Sequence, residues 1–257
     1  MSELTGPERD LAARLRGLTP ARVGLGRIGV SQETRDQLEF QRAHSQARDA
    51  VHARLECEAL AAMLGKISSG EVMRLHSAAP DRATYLQRPD LGRRLEEASR
   101  KVLTRAFEPG GWELAPIVAD GLSALAVERH AAPLLMELLP RLHGWRLAPV
   151  CVVEQGRVAI GDEIGLVLGA EISVVLIGER PGLSSPDSLG VYITWAPRPG
   201  RTDAERNCVS NIRAEGLSYA QAAAQLVDTV TEARRLRLTG VALKIETRTS
   251  EKAIEKG

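Results

Sequence analysis

The sequence predicts an α/β fold, a Rossmann-like parallel sheet with helices on both faces, preceded by a helical N-terminal region. From Glu113 onward, short apolar runs alternate with segments of helical periodicity, which is typical of strands joined by crossover helices. The clearest run, Ile172–Ile177, is apolar at nearly every position, as expected for a strand buried on both faces. We therefore divide the chain into a helical N-terminal region at residues 1–110 and a Rossmann-like domain at residues 111–257.

Composition and charge exclude several classes of function. The chain has 257 residues, of which 44% are hydrophobic and 26% charged, so it is long enough and apolar enough to fold around a core. A net charge of +1 gives no long-range attraction to nucleic acid or to an anionic membrane. No apolar run is long enough to cross a bilayer, and Met1–Arg16 lacks the apolar core of a signal peptide. We expect a cytoplasmic protein that binds neither nucleic acid nor membrane.

The cysteines and histidines predict neither a disulfide nor a metal site. Cys57, Cys151 and Cys208 lie far apart in the sequence and form no zinc-binding spacing, so we expect three free thiols. His44 and His52 have no cysteine or acid at ligand spacing, and we expect both at the surface.

The glycines of Val23–Gly29 match the dinucleotide-binding fingerprint in their spacing alone. Gly24, Gly26 and Gly29 have the required spacing, but Thr19-Pro20 leaves too little room for a preceding strand, and the next helix leads to no strand. We interpret this segment as a glycine-rich loop that follows a short amphipathic helix at Asp10–Arg16. A nicotinamide-dependent dehydrogenase remains the alternative, which a titration with NADH would test.

The first long helix of the N-terminal region is predicted to begin after Ser31, which suits the N-cap position, and to reach about Leu64, with or without a break. Small residues mark its buried face at intervals of four, namely Ala43, Ala47, Val51 and Leu55. Residues 65–87 are rich in turn-forming residues and indicate a boundary.

Pro89 is predicted to open a second helix. Its expected buried face consists of Leu91, Leu95, Ala98, Val102 and Ala106. Arg93 and Arg94 belong to the basic remainder of this helix, which is either a solvated face or a contact for an acidic partner or a phosphate.

The second half of the chain supplies the strands and helices of the predicted sheet. The expected strands are Leu114–Ala119, Leu147–Val153, Ile172–Ile177, Leu189–Trp195 and Val241–Ile245. The expected helices are Ala124–Leu142 with a kink or break at Pro133, a short helix capped by Asp162, and Tyr219–Leu238 with a capping box formed by Ser218 and Gln221.

The loops that follow the strands form the predicted site. They are Asp120–Gly121, Gln155–Arg157, Gly178–Gly182 and Pro197–Arg201. Right-handed crossovers would place them at one edge of the sheet, where open α/β sheets bind their ligands. None of them carries a Ser-His-Asp set, a His-Glu-x-x-His pair or an Asp-x-His-x-x-Gly motif, so we expect binding rather than independent catalysis. The residue types alone do not decide between two roles for Glu179. It is either a hydrogen-bond acceptor for a ligand or a turn acid paired with Arg180.

Six stretches, in order, resemble the small (light) subunit of ethanolamine ammonia-lyase over about residues 19–244. They are Thr19–Arg27, Tyr85–Arg94, Ala119–Ser123, Gly156–Gly165, Gly178–Leu183 and Cys208–Ile212. The resemblance implies an adenosylcobalamin enzyme that converts ethanolamine to acetaldehyde and ammonia by radical chemistry. It also implies a TIM-barrel large subunit as partner, in a hetero-oligomer of up to six of each chain, with the cofactor held between the two subunits.

The same resemblance implies which residues bind the cofactor. The family's cobalamin contacts fall on Val158, Glu179 and Cys208, whereas the catalytic side chains would belong to the large subunit. Residues 111–257 would then be the cobalamin-binding domain, and residues 1–110 would contact the partner. A non-catalytic cobalamin-binding or reactivating module is the alternative, although no ATP-binding loop is visible.

Some members of this family carry a long N-terminal extension that can direct the enzyme into a bacterial microcompartment. Here the resemblance begins near residue 19. We therefore expect a free cytoplasmic enzyme, with encapsulation as the second possibility.

Overall fold

The structure, a computed structural model, describes residues 6–19, 21–25, 27–68, 70–107 and 110–244. Helices dominate the N-terminal region, as predicted. Its elements before residue 70 are α1 (Gly6–Leu18), β1 (Arg27–Ile28), β2 (Ser31–Gln32), α2 (Thr34–His52) and α3 (Cys57–Ser68). The long predicted helix is thus two helices, and Ser31 lies in β2 while Glu33 occupies the N-cap position of α2. The predicted stripe faces inward, with Ala43 and Leu55 buried.

The glycine-rich segment does not form a dinucleotide-binding turn. Strands β1 and β2 pair only with each other, as an antiparallel hairpin outside the main sheet. Gly24 and Gly29 have positive φ angles of 61° and 62°, which glycine adopts without strain. Gly26 lies outside the described residues. Because no strand of the main sheet precedes this segment, the physical requirement of the fingerprint is not met.

The rest of the chain forms a six-stranded sheet with helices around it. In chain order its elements are β3 (Val72–His76), α4 (Arg82–Gln87), α5 (Glu97–Ala106), β4 (Trp112–Ala119), α6 (Ala124–Leu138), β5 (Val150–Glu154), α7 (Ile160–Leu168), β6 (Ala170–Gly178), β7 (Leu189–Trp195), β8 (Asn207–Ile212) and α8 (Tyr219–Leu236). Short 3-10 helices cover Leu91–Arg93, Leu139–Leu142 and Asp203–Glu205. The strand order is β3-β5-β4-β6-β7-β8.

The sheet is mixed, whereas we predicted a parallel one. Strands β3, β5, β4 and β6 are parallel, but β7 runs antiparallel to both β6 and β8. The cause is the short connection between the two strands. Only ten residues, none of them in a helix, join β6 to β7. A parallel connection needs a crossover of a dozen or more residues. The α/β fold class and the helices on both faces are confirmed.

Two apolar cores lie on the two faces of the sheet. On the first face, α3, α6 and α8 cover alternate residues of β4 to β8. On the second face, α5 and α7 cover β3, β5, β4 and part of β6. Strand β3 comes from before the predicted boundary at residue 110, so the N-terminal region contributes an edge strand to the sheet.

The predicted start of α5 and the predicted strand at the C-terminus are wrong. Leu95 bridges to Ser77 in extended form, so α5 begins at Glu97 rather than near Pro89. Because the helix begins later than predicted, its buried residues are Ser99 and Leu103, and the predicted core residue Val102 is 51% exposed. The segment from 241 to 244 is turn and coil rather than strand, and Ile245 lies outside the described residues.

Asp162 does not cap α7 but lies inside it, buried. Its two carboxylate oxygens accept hydrogen bonds from Arg206 at 2.7 and 2.6 Å, and Arg206 also donates to the Thr194 hydroxyl at 2.8 Å. Burial raises the pKa of Asp162, and the guanidinium of Arg206 opposes this shift. The pair fastens α7 to β7 and to the start of β8.

Candidate functional site

The carboxyl ends of β4, β5 and β6 meet at one edge of the sheet, as predicted, which we call the strand-end edge. Asp120, Gln155 and Glu179 follow these three strands. The fourth predicted loop, Pro197–Arg201, does not join them, because β7 runs in the opposite direction. The N–H of Ala196 donates to the carbonyl of Glu171 at 2.7 Å, next to the start of β6.

Asp120 links two of the strand-end loops from a fully buried position. Its carboxylate accepts hydrogen bonds from the N–H groups of Gln155 at 3.0 Å and Gly156 at 2.9 Å. The guanidinium of Arg82 lies 3.4 Å away. Burial raises the pKa of Asp120 to about 6, although Arg82 and the backbone donors favour the charged form. The carboxylate thereby fixes the turn that leads to Val158.

Arg82 and Arg157 place their guanidinium groups over the ring of buried Tyr85, at 4.8 and 4.3 Å from its centroid. Arg82 also donates to the carbonyls of Val51 at 2.7 Å and Gly121 at 2.8 Å. The Tyr85 hydroxyl donates to the carbonyl of Gly156 at 3.0 Å. Cation–π contacts and hydrogen bonds together join α2, α4 and the strand-end loops.

Glu179 is held by two residues that sequence analysis missed. Its N–H donates to the carbonyl of Ser188 at 2.9 Å, and the Ser188 hydroxyl donates to its Oε2 atom. A Cβ atom on Gly190 would lie only 2.8 Å from Oε1, so glycine provides the space for the carboxylate. Among the described residues, Glu179 forms no ion pair with Arg180, and its carboxylate bonds to Ser188 instead.

Beside Glu179, β7 and β8 present a partly open surface on the second face of the sheet. Tyr192 is half-buried there, and Cys208 pairs with it across the two strands and is exposed. Val158 packs against the same cluster of side chains as Tyr192. Burial, with smaller effects from Cys208 and Glu179, raises the pKa of Tyr192 to about 12. We call Val158, Glu179, Tyr192 and Cys208 the open strip.

The structure therefore brings Glu179 and Cys208 together around Tyr192. Val158 packs against the same apolar core as Tyr192, on the same face of the sheet. The missed residues are Ser188, Gly190, Tyr192 and the Arg82–Tyr85–Arg157 stack. Only Gly190 gave a usable signal, because a glycine inside an apolar strand indicates a close approach by another group. The others depend on contacts between segments far apart in the sequence, which apolar patterning does not encode.

The chemistry available at the strand-end edge is hydrogen bonding and apolar contact. No group of three or more potential metal ligands occurs within the described part of the chain. No helix among the described residues is long and apolar enough to span a membrane. Glu179 can accept hydrogen bonds there, and the half-buried ring of Tyr192 offers an apolar surface.

Comparisons with known proteins agree on one family. A family model described as "Ethanolamine ammonia-lyase light chain (EutC)" matches residues 9–244. The ethanolamine ammonia-lyase small subunit of Xanthomonas campestris pv. campestris (strain B100) is 58% identical over 250 residues, covering 96% of this chain and 92% of the relative.

Two further relatives carry the same description. The protein of Azotobacter vinelandii is 60% identical, covering 96% of this chain and 92% of the relative. That of Pseudomonas syringae pv. tomato is 58% identical, covering 90% of this chain and 82% of the relative. The chain therefore belongs to the ethanolamine ammonia-lyase small (light) subunit family, and so to the subunits of a carbon–nitrogen lyase.

Proposed function

We propose that this chain is the subunit that holds adenosylcobalamin against a TIM-barrel large subunit, in an enzyme that converts ethanolamine to acetaldehyde and ammonia. The observation that carries the proposal is the open strip, where Glu179 and Cys208 lie beside Tyr192 and Val158 packs against the same apolar core. Family membership supports a large-subunit partner. We expect a cytoplasmic hetero-oligomer of up to six of each chain.

The residues of the open strip fit a corrin by their chemistry. Glu179 Oε2 accepts the Ser188 hydroxyl, which leaves Oε1 as an acceptor for an amide N–H of the corrin side chains. Val158 and the Tyr192 ring would provide an apolar wall, and the small side chain of Cys208 would let a large ring approach the sheet. The missing side chain of Gly190 leaves room for the Glu179 carboxylate at this position, which supports this assignment.

In this proposal the chain binds and orients, and the partner supplies the catalytic side chains. Adenosylcobalamin supplies the radical chemistry when bound. The protein's own contribution is to fix the position of the cofactor and to exclude water where the two subunits meet. The chain alone would have no deaminase activity.

Co-expression with a large subunit and an acetaldehyde assay test this proposal. We expect activity only when both subunits and adenosylcobalamin are present. Glu179→Ala should weaken cofactor binding by about tenfold, because a charge-assisted hydrogen bond is lost. Arg198→Gln, an exposed arginine near the opposite edge, is the matched control and should bind normally. Activity that does not need the cofactor would contradict the proposal.

The basic surface near α5 is the proposed contact with the large subunit. Arg93 and Arg94 are both exposed, and neither forms an ion pair with another described residue. Reversing both charges, Arg93→Glu with Arg94→Glu, should weaken assembly, whereas Arg198→Gln should not. Size-exclusion chromatography of the co-expressed subunits checks this, and an unchanged complex would remove the contact from this surface.

A further inference from the structure

The carboxylate of Glu179 is held by the far end of a loop that has no helix or strand of its own. The loop follows β6 and ends at Ser188, whose hydroxyl donates to Glu179 Oε2. Inside the loop, Gly182 and Ser185 exchange two backbone hydrogen bonds of 3.1 and 3.3 Å, which close a tight turn. Whatever fixes the chain next to Ser188 therefore also positions Glu179.

The turn that leads into α6 holds both ends of this loop. At the first end, the N–H of Leu122 donates to the carbonyl of Gly178 at 3.0 Å, and a Cβ atom on Gly178 would overlap the carbonyl oxygen of Ser123. At the other end, the Ser123 hydroxyl donates to the carbonyl of Pro186 at 2.9 Å. Ser123 is also the N-cap of α6, so the helix and the loop share one anchor.

Asp187 extends this attachment along α6. Its Oδ2 atom accepts a hydrogen bond from Arg129 at 2.7 Å and lies 3.5 Å from Nε2 of His130, so two successive residues of α6 face one carboxylate. At 3.5 Å the histidine nitrogen makes an electrostatic contact with the carboxylate, not a hydrogen bond. Burial raises the pKa of Asp187, but the hydrogen bond from Arg129 and the neighbouring His130 outweigh burial and hold that pKa below its ordinary value. The carboxylate is therefore charged at neutral pH.

His130 is itself fixed by a second helix. Its ring is buried, and its Nδ1 atom lies 2.8 Å from the hydroxyl of Tyr219, the first residue of α8. When that hydroxyl donates to Nδ1, the proton of the neutral ring is on Nε2, which faces Asp187. Burial lowers the pKa of His130, which favours the neutral ring. The carboxylate of Asp187 is thus held from the face of the sheet that α6 and α8 cover.

Asp187 and Ser188 are successive residues whose side chains have different partners. The carboxylate of Asp187 bonds to α6, whereas the hydroxyl of Ser188 bonds to Glu179, which lies beside Tyr192 at the open strip. A trans peptide unit keeps the two Cα atoms about 3.8 Å apart, so a displacement of Asp187 also moves Ser188. The contacts of Asp187 with α6 therefore determine where the Glu179 carboxylate lies.

We propose that Asp187 is a positioning residue for Glu179, held in place by Arg129 and His130. The inference rests on the proposed function, in which Glu179 accepts a hydrogen bond from the corrin. Asp187 does not touch the cofactor, but acts through Ser188 and Glu179. A residue that acts only through Glu179 has no effect on affinity once that carboxylate is removed, whereas a residue that merely stabilises the fold keeps its effect.

The test is a double-mutant cycle on the complex with the large subunit. We would measure the Kd of adenosylcobalamin by absorbance titration for the wild type, Asp187→Ala, Glu179→Ala and the double variant. We expect Asp187→Ala to weaken binding about fivefold when Glu179 is present, and by less than about twofold when it is alanine. Arg129→Gln should show the same dependence on Glu179, and its side chain is 55% exposed, so the core stays intact. Asp228→Ala, which changes an exposed aspartate of α8, is the matched control and should bind normally.

Two results would overturn this inference alone. Equal weakening by Asp187→Ala with and without Glu179 would mean that Asp187 acts through the fold. Unchanged binding of adenosylcobalamin to the Asp187→Ala complex would mean that Ser188 holds Glu179 without help from α6. If Asp187→Ala does not assemble with the large subunit, the cycle between Arg129→Gln and Glu179→Ala decides in the same way. If Glu179→Ala binds adenosylcobalamin as tightly as the wild type does, the role of Glu179 in the proposed function fails, and this inference fails with it.

Discussion

Two buried arginine–aspartate pairs in this protein have different structural roles. Arg206 and Asp162 join α7 to the start of β8 through two direct hydrogen bonds of 2.7 and 2.6 Å. Arg82 and Asp120, at the strand-end edge, approach only to 3.4 Å, and each bonds mainly to backbone groups. The first pair is a clamp between two elements. The second is part of a network that holds several loops at once, and those loops carry the proposed site.

Breaking the clamp should have the largest effect on stability. Arg206→Met leaves the buried carboxylate of Asp162 without its guanidinium, which should cost about 3–5 kcal/mol of unfolding free energy. Urea denaturation measures this loss. The double variant Arg206→Met with Asp162→Leu should recover part of it, since no buried charge is then left unpaired. A loss below about 1 kcal/mol would show that the Arg206–Asp162 pair does not stabilise the fold more than the Arg82–Asp120 pair does.

Arg82→Met should lower the free energy of unfolding less than Arg206→Met does, and it should weaken cofactor binding more. Asp120 keeps its two backbone donors, so we expect a loss of about 1–3 kcal/mol in the free energy of unfolding. The loops around Gly121 and Val51 lose their shared anchor, and adenosylcobalamin should bind more weakly to the assembled enzyme. Wild-type affinity in a correctly assembled Arg82→Met complex would show that the network supports the fold alone.

Gly190→Ala is the mildest of the three changes for the fold. The new methyl group would meet the Glu179 carboxylate, so we expect weaker cofactor binding with a stability change within about 1 kcal/mol. Gly17→Ala, which meets no atom within 4 Å, is the matched control. Calorimetric titration of both variants separates the effects, and equal affinities would mean that Gly190 does not position Glu179.

The sequence predicted elements with strong local signals. Leu189–Trp195 was placed at its observed bounds, and the Ser218 hydroxyl accepts a hydrogen bond from the N–H of Gln221 as expected of an N-cap. Strand direction was wrong for β7 because apolar patterning does not encode it. The missing signal was the short, helix-free connection from Gly178 to Leu189.

The site was less accessible to sequence analysis than the fold. Val158, Glu179 and Cys208 came from the family resemblance, since an isolated valine, glutamate or cysteine has no specific chemistry. Tyr192 and Cys208 are neighbours only because β7 and β8 pair in a particular register. The Arg82–Asp120 network joins segments almost forty residues apart in the chain, and no spacing rule predicts such a contact.

The most direct test is an electron cryo-microscopy map of the two-subunit complex with adenosylcobalamin. We predict that the corrin lies on the strip formed by Val158, Tyr192 and Cys208, with a side-chain amide donating to Glu179. A corrin located elsewhere, for example against Pro197–Arg201 at the opposite edge, would contradict the account.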